Sequence, residues 1–217
     1  MGETSTKTRL SLAMLLTVLL LYALDQATKW SIVCCFNPPQ WGLFLDSVPV
    51  VEDCSWIGFS IVRVHNQGVA FGFGNGTAWA PFVFFGVQVL ALVLLVLLLR
   101  RGFFNTRLLR AAWALIMTGV LGNMTDRLLQ GFFLPGAEKL SFMQNLMNGY
   151  VVDFLDVWFP WITSENWPGG YHWPAFNVAD ACVCISSLLF LIATFMPEKK
   201  APAEAQAKES EQPKEDA

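Results

Sequence analysis

Charged residues are scarce in this chain. Asp, Glu, Lys and Arg make up 14% of its 217 residues, whereas 54% are hydrophobic. A soluble domain carries roughly a quarter charged residues, so an ordinary soluble globule is excluded. No basic stripe with interleaved aromatics marks a nucleic-acid surface, and no nucleic-acid partner is expected. Histidine is rarer still: His65 and His172 are the whole complement, too few for a histidine-rich metal centre. The five cysteines, Cys34, Cys35, Cys54, Cys182 and Cys184, lack the spacing of a zinc site, and an odd number does not close a disulfide framework. They read as small apolar packing residues, and a bridge from Cys34 or Cys54 has nothing to support it. No metal and no cofactor is expected. Common hydrolase signatures are also missing: no Gly-x-Ser-x-Gly elbow, no His-Glu-x-x-His helix, neither Asp-Thr-Gly nor Asp-Ser-Gly. Gly72-Phe73-Gly74-Asn75 has Asn where a Gly-x-Gly-Asp loop needs its acid.

What is abundant is apolar sequence of helical length. Crossing about 30 Å of hydrocarbon takes about 20 helical residues. Four segments supply them: Leu10 to Cys34, Ala78 to Leu99, Leu108 to Leu128, and Phe176 to Met196. Lys7 and Arg9 resemble the start of a signal peptide, but no small-x-small cleavage site follows, and Asp25 and Lys29 interrupt its end. The segment reads as an uncleaved first span. Lys7 and Arg9, then Arg100, Arg101, Arg107 and Arg110, then Lys199 and Lys200 all fall on one side of a four-span protein. The positive-inside rule makes that side cytoplasmic, with both termini inside. Residues 1–197 then form a single membrane domain, and the polar tail 198–217 reads as disordered.

Two outer connections remain. Residues 37–77 mix β-branched and aromatic residues and end in repeated glycine, which predicts a small sheet or hairpin on the outer membrane surface. Residues 129–174 form an enlarged outer loop, and its cluster Trp158, Trp161, Trp167, Tyr171 and Trp173 suits the headgroup layer. The fold class is therefore membrane α-helical: four transmembrane helices, a small extracytoplasmic sheet and an enlarged outer loop.

Polar residues collect at one depth. The uncharged run Leu10 to Leu24 climbs about 22 Å at about 1.5 Å per residue before Asp25. The third span is uncharged from Ala111 to Gly122, about 18 Å, and then presents Asn123, Asp126 and Arg127. The fourth begins with Asn177 and Asp180 and is uncharged thereafter to Met196. A charge inside a span costs roughly 2.5–3.5 kcal/mol on insertion scales and faces the bundle interior or water. Asp25 and Lys29 are four apart and can pair on one face, as can Asn123 and Arg127. Structural pairing accounts for Asp25, Lys29, Asp126 and Arg127 as well as a functional role does. It leaves Asp180 without a cation. Asp153, in the apolar stretch Gly149 to Leu155, is a second unpaired acid. If the chain returns it to the outer end of the bundle, the two carboxylates cannot both ionise easily and would share a proton. One would take a proton from water while the other gives one to a scissile carbonyl.

These residues resemble those of the lipoprotein signal peptidases, or signal peptidase II. Asp25-Gln26-Ala27-Thr28-Lys29 resembles the family's first block, and His65-Asn66-Gln67-Gly68-Val69-Ala70-Phe71-Gly72 its Asn-Thr-Gly-Ala-Ala-Phe segment. Gly122-Asn123-Met124-Thr125-Asp126-Arg127 resembles Gly-Asn-x-x-Asp-Arg. Val151-Val152-Asp153-Phe154 and Phe176-Asn177-Val178-Ala179-Asp180 resemble the two blocks that hold catalytic aspartates. Each block is short, but five in order across four spans are specific. The resemblance implies an aspartic-type endopeptidase of the bacterial cytoplasmic membrane, with its active site on the extracytoplasmic side. It would cleave diacylglyceryl-modified prolipoproteins before the lipidated cysteine. Asp153 and Asp180 would activate water, Asn66, Asn123, Arg127 and Asn177 would position substrate or support the dyad, and Asp25, Lys29 and Asp126 would hold the site together. The resemblance also implies a β-cradle from the first outer connection, contact with membrane lipids and sensitivity to globomycin. The chain departs from the pattern at Gln67 and Val69, and by long insertions at Leu128 to Val152 and Asp156 to Trp173. These are either surface elements resting on the membrane or a lid over the dyad.

Two rivals come from other classes. A proton-coupled transporter would carry polar groups through the full thickness of the bilayer, yet the inner halves of the spans are apolar apart from Gln88. A non-enzymatic membrane assembly factor would tolerate loss of either aspartate.

Overall fold

The computed structural model describes residues 10–39, 46–52, 54–68, 77 and 79–196. Lys7, Arg9, Lys199, Lys200, the tail 198–217 and, within the expected β-cradle, residues 40–45, 53 and 69–76 lie outside the described residues. Four helices are long and apolar enough to cross a membrane: α1 (Leu12–Cys35), α2 (Ala80–Arg100), α3 (Arg107–Leu129) and, after the short α4 (Phe142–Met147), α5 (Val178–Phe195).

Each span begins where its sequence supplies a start. Ser11 caps α1 by accepting from the Met14 N–H, and Thr106 caps α3 by accepting from that of Leu109. Proline stands in the first turn of α2, where its missing N–H costs nothing. Asn177 and Asp180 start α5 with a reciprocal capping box.

The bundle divides by depth. Towards the start of α1 and the α2–α3 connection lies an apolar core of Met14, Val18, Leu95, Leu99, Phe104, Trp113, Ala114 and Met117. There the Trp113 indole donates to the Leu95 carbonyl, 3.0 Å away. Towards the other ends of α1 and α3 the interior is polar. Small residues let α3 and α5 approach closely. A Cβ at Gly119 would stand 2.7 Å from the Ala179 carbonyl oxygen, and one at Gly122 would stand 3.0 Å from the Ala179 methyl.

Four antiparallel strands in the order β1-β2-β3-β4 join the α1–α2 and α3–α5 connections: β1 (Ser47–Val51), β2 (Gly58–Asn66), β3 (Val151–Phe159) and β4 (Tyr171–His172). The sheet is thus not built from the first connection alone. Its central ladder runs from Gly58↔Trp158 to Asn66↔Val151, with a register shift between Ile61 and Val64. Ile32 of α1 packs with Tyr150, Val152 and Phe154, fixing the sheet to the end of that helix. The segment from Leu129 to Tyr150 forms two 3-10 turns (Gln130–Phe133 and Ala137–Lys139) and α4. It leaves and returns at nearly one point, since Gly149 lies so close to the Arg127 carbonyl that no Cβ would fit.

Candidate functional site

The polar interior is built around one ammonium. Lys29 lies one turn after Asp25 on α1, and its Nζ reaches Asp25 Oδ2 at 3.0 Å, Asp126 Oδ2 at 3.0 Å and Asn123 Oδ1 at 2.9 Å. Three protons meet three acceptors, and the Lys29 and Asp25 side chains are fully enclosed. Each acid then serves a second element. Asp25 Oδ1 accepts from the Ala179 N–H (2.9 Å), so a carboxylate sits on the otherwise unpartnered donors at the start of α5. Asp126 Oδ2 accepts from the Val152 N–H (3.1 Å), which holds β3 beside the end of α3.

Asn123 passes this order outward. Its Oδ1 accepts from Lys29 and from Asn177 Nδ2 (3.2 Å), while its Nδ2 donates to Asp180 Oδ1 at 2.8 Å. Asn177 links both acids of interest. Its backbone N–H donates to Asp180 Oδ2 (3.2 Å) and its Nδ2 to Asp153 Oδ1 (2.7 Å). Asn66, at the end of β2, donates to Asp153 Oδ2 at 2.9 Å. The two acids therefore hang from one residue, each holding two neutral N–H donors, and neither makes a salt bridge among the described residues.

Asp153 is 2% exposed and Asp180 is half-buried. Burial first, and then the charge of Asp180, push the Asp153 carboxyl up to about 8; hydrogen bonds from Asn66 and Asn177 and the Lys29 charge oppose this only in part. A carboxyl held there resists ionisation beside a second carboxyl, an arrangement able to give one proton and take another.

Arg127 takes a different place. Its guanidinium donates to the carbonyls of Gln67 (2.9 Å) and Gly68 and lies over the Phe84 ring, 5.6 Å from the centroid. It fastens the chain after β2 to α2 and α3. Of the buried side-chain polar atoms that keep no hydrogen-bond partner among the described residues, two lie at this site, Arg127 Nε and Asn66 Oδ1. All nine residues singled out from the sequence lie in this region. All five cysteines are free, and among the described residues no cluster of His, Cys, Asp and Glu could hold a metal ion.

Sequence reasoning missed Gln26, whose amide donates to Asp25, Asp126 and the Gly122 carbonyl. Its place beside Asp25 was the only signal. It also missed the capping role of Asn177, although Asn-x-x-Asp ahead of an apolar run is a readable helix start. A further group, Asp156 with Ser60 (3.1 Å) and His172 (2.9 Å), ties β2, β3 and β4 together on the sheet.

The family model described as signal peptidase (SPase) II matches residues 17–196. A lipoprotein signal peptidase from Nitratidesulfovibrio vulgaris is 35% identical over 193 residues, 88% of this chain and 92% of the relative. One from Acinetobacter baylyi is 32% identical over 186 residues, 85% and 83% of the two chains. Among solved structures, a bacterial membrane enzyme determined by the in meso method at 2.3 Å resolution superposes with a TM-score of 0.63 at 24% identity, covering 90% of this chain and 98% of that one. That likeness concerns the fold.

Proposed function

The chain belongs to the signal peptidase II family, and from that premise we propose that it is an aspartic-type endopeptidase whose dyad is Asp153 and Asp180. As a multi-pass membrane peptidase it removes signal peptides from prolipoproteins, cleaving before the diacylglyceryl-modified cysteine. The observation that carries the assignment is the bridge through Asn177, which hydrogen-bonds to both acids while one of them stays buried.

The two carboxyls share one proton in the resting site. The ionised member takes a proton from a water lodged between them, and the resulting hydroxide attacks the scissile carbonyl. The protonated member gives its proton to the carbonyl oxygen. Collapse of the tetrahedral diol returns a proton to the leaving amine and restores the pair. Asn123, Asn66 and Asn177 hold the carboxyls from outside. The open acceptor of Asn66 and the open donor of Arg127 suit a substrate N–H and C=O. Asp25, Lys29 and Asp126 hold the helices that carry these groups. The exposed apolar faces of α1, α2 and α5 (Leu20, Leu90, Leu188) give the substrate's acyl chains a lipid-facing approach.

We place the dyad on the extracytoplasmic side of the bacterial inner membrane with both termini cytoplasmic, because Arg100, Arg101, Arg107 and Arg110 lie at the α2–α3 connection, at the end of the bundle remote from the acids. Residues 1–197 act as one catalytic domain, the tail 198–217 lies outside it, and globomycin competes for the same site.

The test is cleavage of a diacylglyceryl-modified prolipoprotein by the purified chain, read by gel shift with and without globomycin. Asp153→Asn and Asp180→Asn should each abolish cleavage while leaving expression unchanged. Near-normal turnover by either variant refutes the mechanism.

A further inference from the structure

Behind Asn66 and Asp153, where β2 and β3 meet the end of α1, lies a buried group that the chemistry above does not use. Arg63 is 5% exposed, yet none of its described partners is an acid. Its Nη1 donates to the carbonyls of Val33 (3.0 Å) and Phe36 (2.7 Å), its Nη2 to the Tyr150 hydroxyl (3.4 Å) and its Nε to His65 Nε2 (3.0 Å). The two carbonyls belong to the C-terminal end of α1, where acceptors lack helical partners and the dipole favours a cation. His65 is neutral in this setting: burial and the Arg63 charge hold it down to about 3, and its Nε2 is the acceptor. Its ring stacks on Tyr150, centroids 3.7 Å apart and planes 23° apart, and Tyr150 is 1% exposed.

The placement matters because of strand alternation. Arg63 and His65 are two apart and share one side of β2, whereas Asn66 points to the other. His65 pairs with Val152 and Asn66 with Val151, the last rungs of the ladder before the chain leaves the sheet. Tyr150 directly precedes Val151. The Arg63 group therefore grips these rungs from one face while Asn66 donates to Asp153 from the other. A buried guanidinium without a counter-ion is costly, and no apolar residue of that size could bind both helix-end carbonyls and the ring.

We propose that Arg63, His65 and Tyr150 form a positioning unit that pins the dyad end of the β2–β3 ladder to the C-terminus of α1 and so holds Asn66 on Asp153. The proposal rests on the reading of Asp153 as half of the dyad.

The test is the pH–rate profile of the purified full chain on a diacylglyceryl-modified prolipoprotein. The Asn66 hydrogen bond draws the Asp153 proton affinity down, so its loss should move the alkaline limb to higher pH. The charged groups around Asp153, namely Asp180 on α5, Lys29 on α1 and Arg127 on α3, stay in place. Arg63→Gln should lower kcat by at least about tenfold, as for a displaced reacting group, with KM little changed. It should also raise the alkaline limb in the same sense as Asn66→Ala. In an Asn66→Ala background Arg63→Gln should move the limb no further. A limb left unmoved by Arg63→Gln, or two shifts that simply add, would overturn the proposal. If Arg63→Gln does not accumulate as folded protein, His65→Ala decides by the same rule. Inactive Asp153→Asn together with an unmoved limb defeats only this inference, whereas active Asp153→Asn defeats the dyad itself.

Discussion

A carboxylate at Asp153 is expensive to keep ionised, because its surroundings supply amide donors where an ion pair would supply charge. The raised pKa has a definite sign for stability. Below the unfolded value of 3.8 the acid is protonated in both states and its contribution is intact. As pH climbs through the folded value of about 8, that contribution is lost. Asp153→Asn does not titrate, so the melting temperature of this variant, relative to the parent, should rise between pH 4 and pH 8. Differential scanning in detergent across that range checks it; a flat difference would mean that Asp153 is not strained. Lys29 has the opposite character. Lys29→Met leaves Asp25 and Asp126 facing each other without a cation, at a cost of about 3–5 kcal/mol for breaking a buried pair, and should lower the melting temperature sharply. Sequence spacing exposed half of this arrangement, since Asp25 and Lys29 lie one turn apart. The second acid, Asp126, comes from α3 and is adjacent only after the helices pack.

Among the elements, the spans were legible because an unbroken apolar run of about 20 residues has the length of a helical crossing and satisfies its own backbone polar groups in lipid as a helix, and their observed ends fall within two residues of those expected. Strand β3 was not legible. Val151 to Phe154 are all buried, so the stretch carries no alternation to mark one face. Its partner β2 comes from the other connection, which no local pattern reports. The closeness of α3 and α5 was equally silent in the sequence, although it positions Asp180. Gly119→Ala would press a methyl onto the Ala179 carbonyl and the Val183 side chain. The backbone cannot yield as a side chain can, so overpacking should cost about 1–3 kcal/mol against the roughly 1 kcal/mol of helix propensity that alanine adds. Thermal unfolding of Gly119→Ala should therefore begin below that of the parent. Gly86, with open space around it, is the control: Gly86→Ala should not destabilise.

At the scale of the whole molecule, an apolar core holds one end of the bundle and an ionic network the other, and the sheet ties the α1–α2 and α3–α5 connections to α1. The segment from Gln130 to Asn148 stands apart from this plan. Its described side-chain hydrogen bonds are internal, from Asn145 to the Ala137 carbonyl and through the Ser141–Gln144 box that starts α4. Phe133 lies edge-on against Trp30, 4.8 Å between centroids, about 8 Å before the end of α1 at about 1.5 Å per residue. Phe142 and Met143 are 70% and 54% exposed. An element that meets a span at that depth, with its apolar side chains turned outward, fits the lipid boundary better than it fits a cover over Asp153, to which it makes no described hydrogen bond. Because the chain departs at Leu129 and returns at Gly149 beside Arg127, removing Phe132 to Asn148 leaves ends that a short linker can join. The shortened protein should keep kcat/KM for prolipoprotein within about threefold, or about 0.7 kcal/mol of transition-state stabilisation. A loss of two orders of magnitude with an unchanged melting temperature would instead make the segment a working lid.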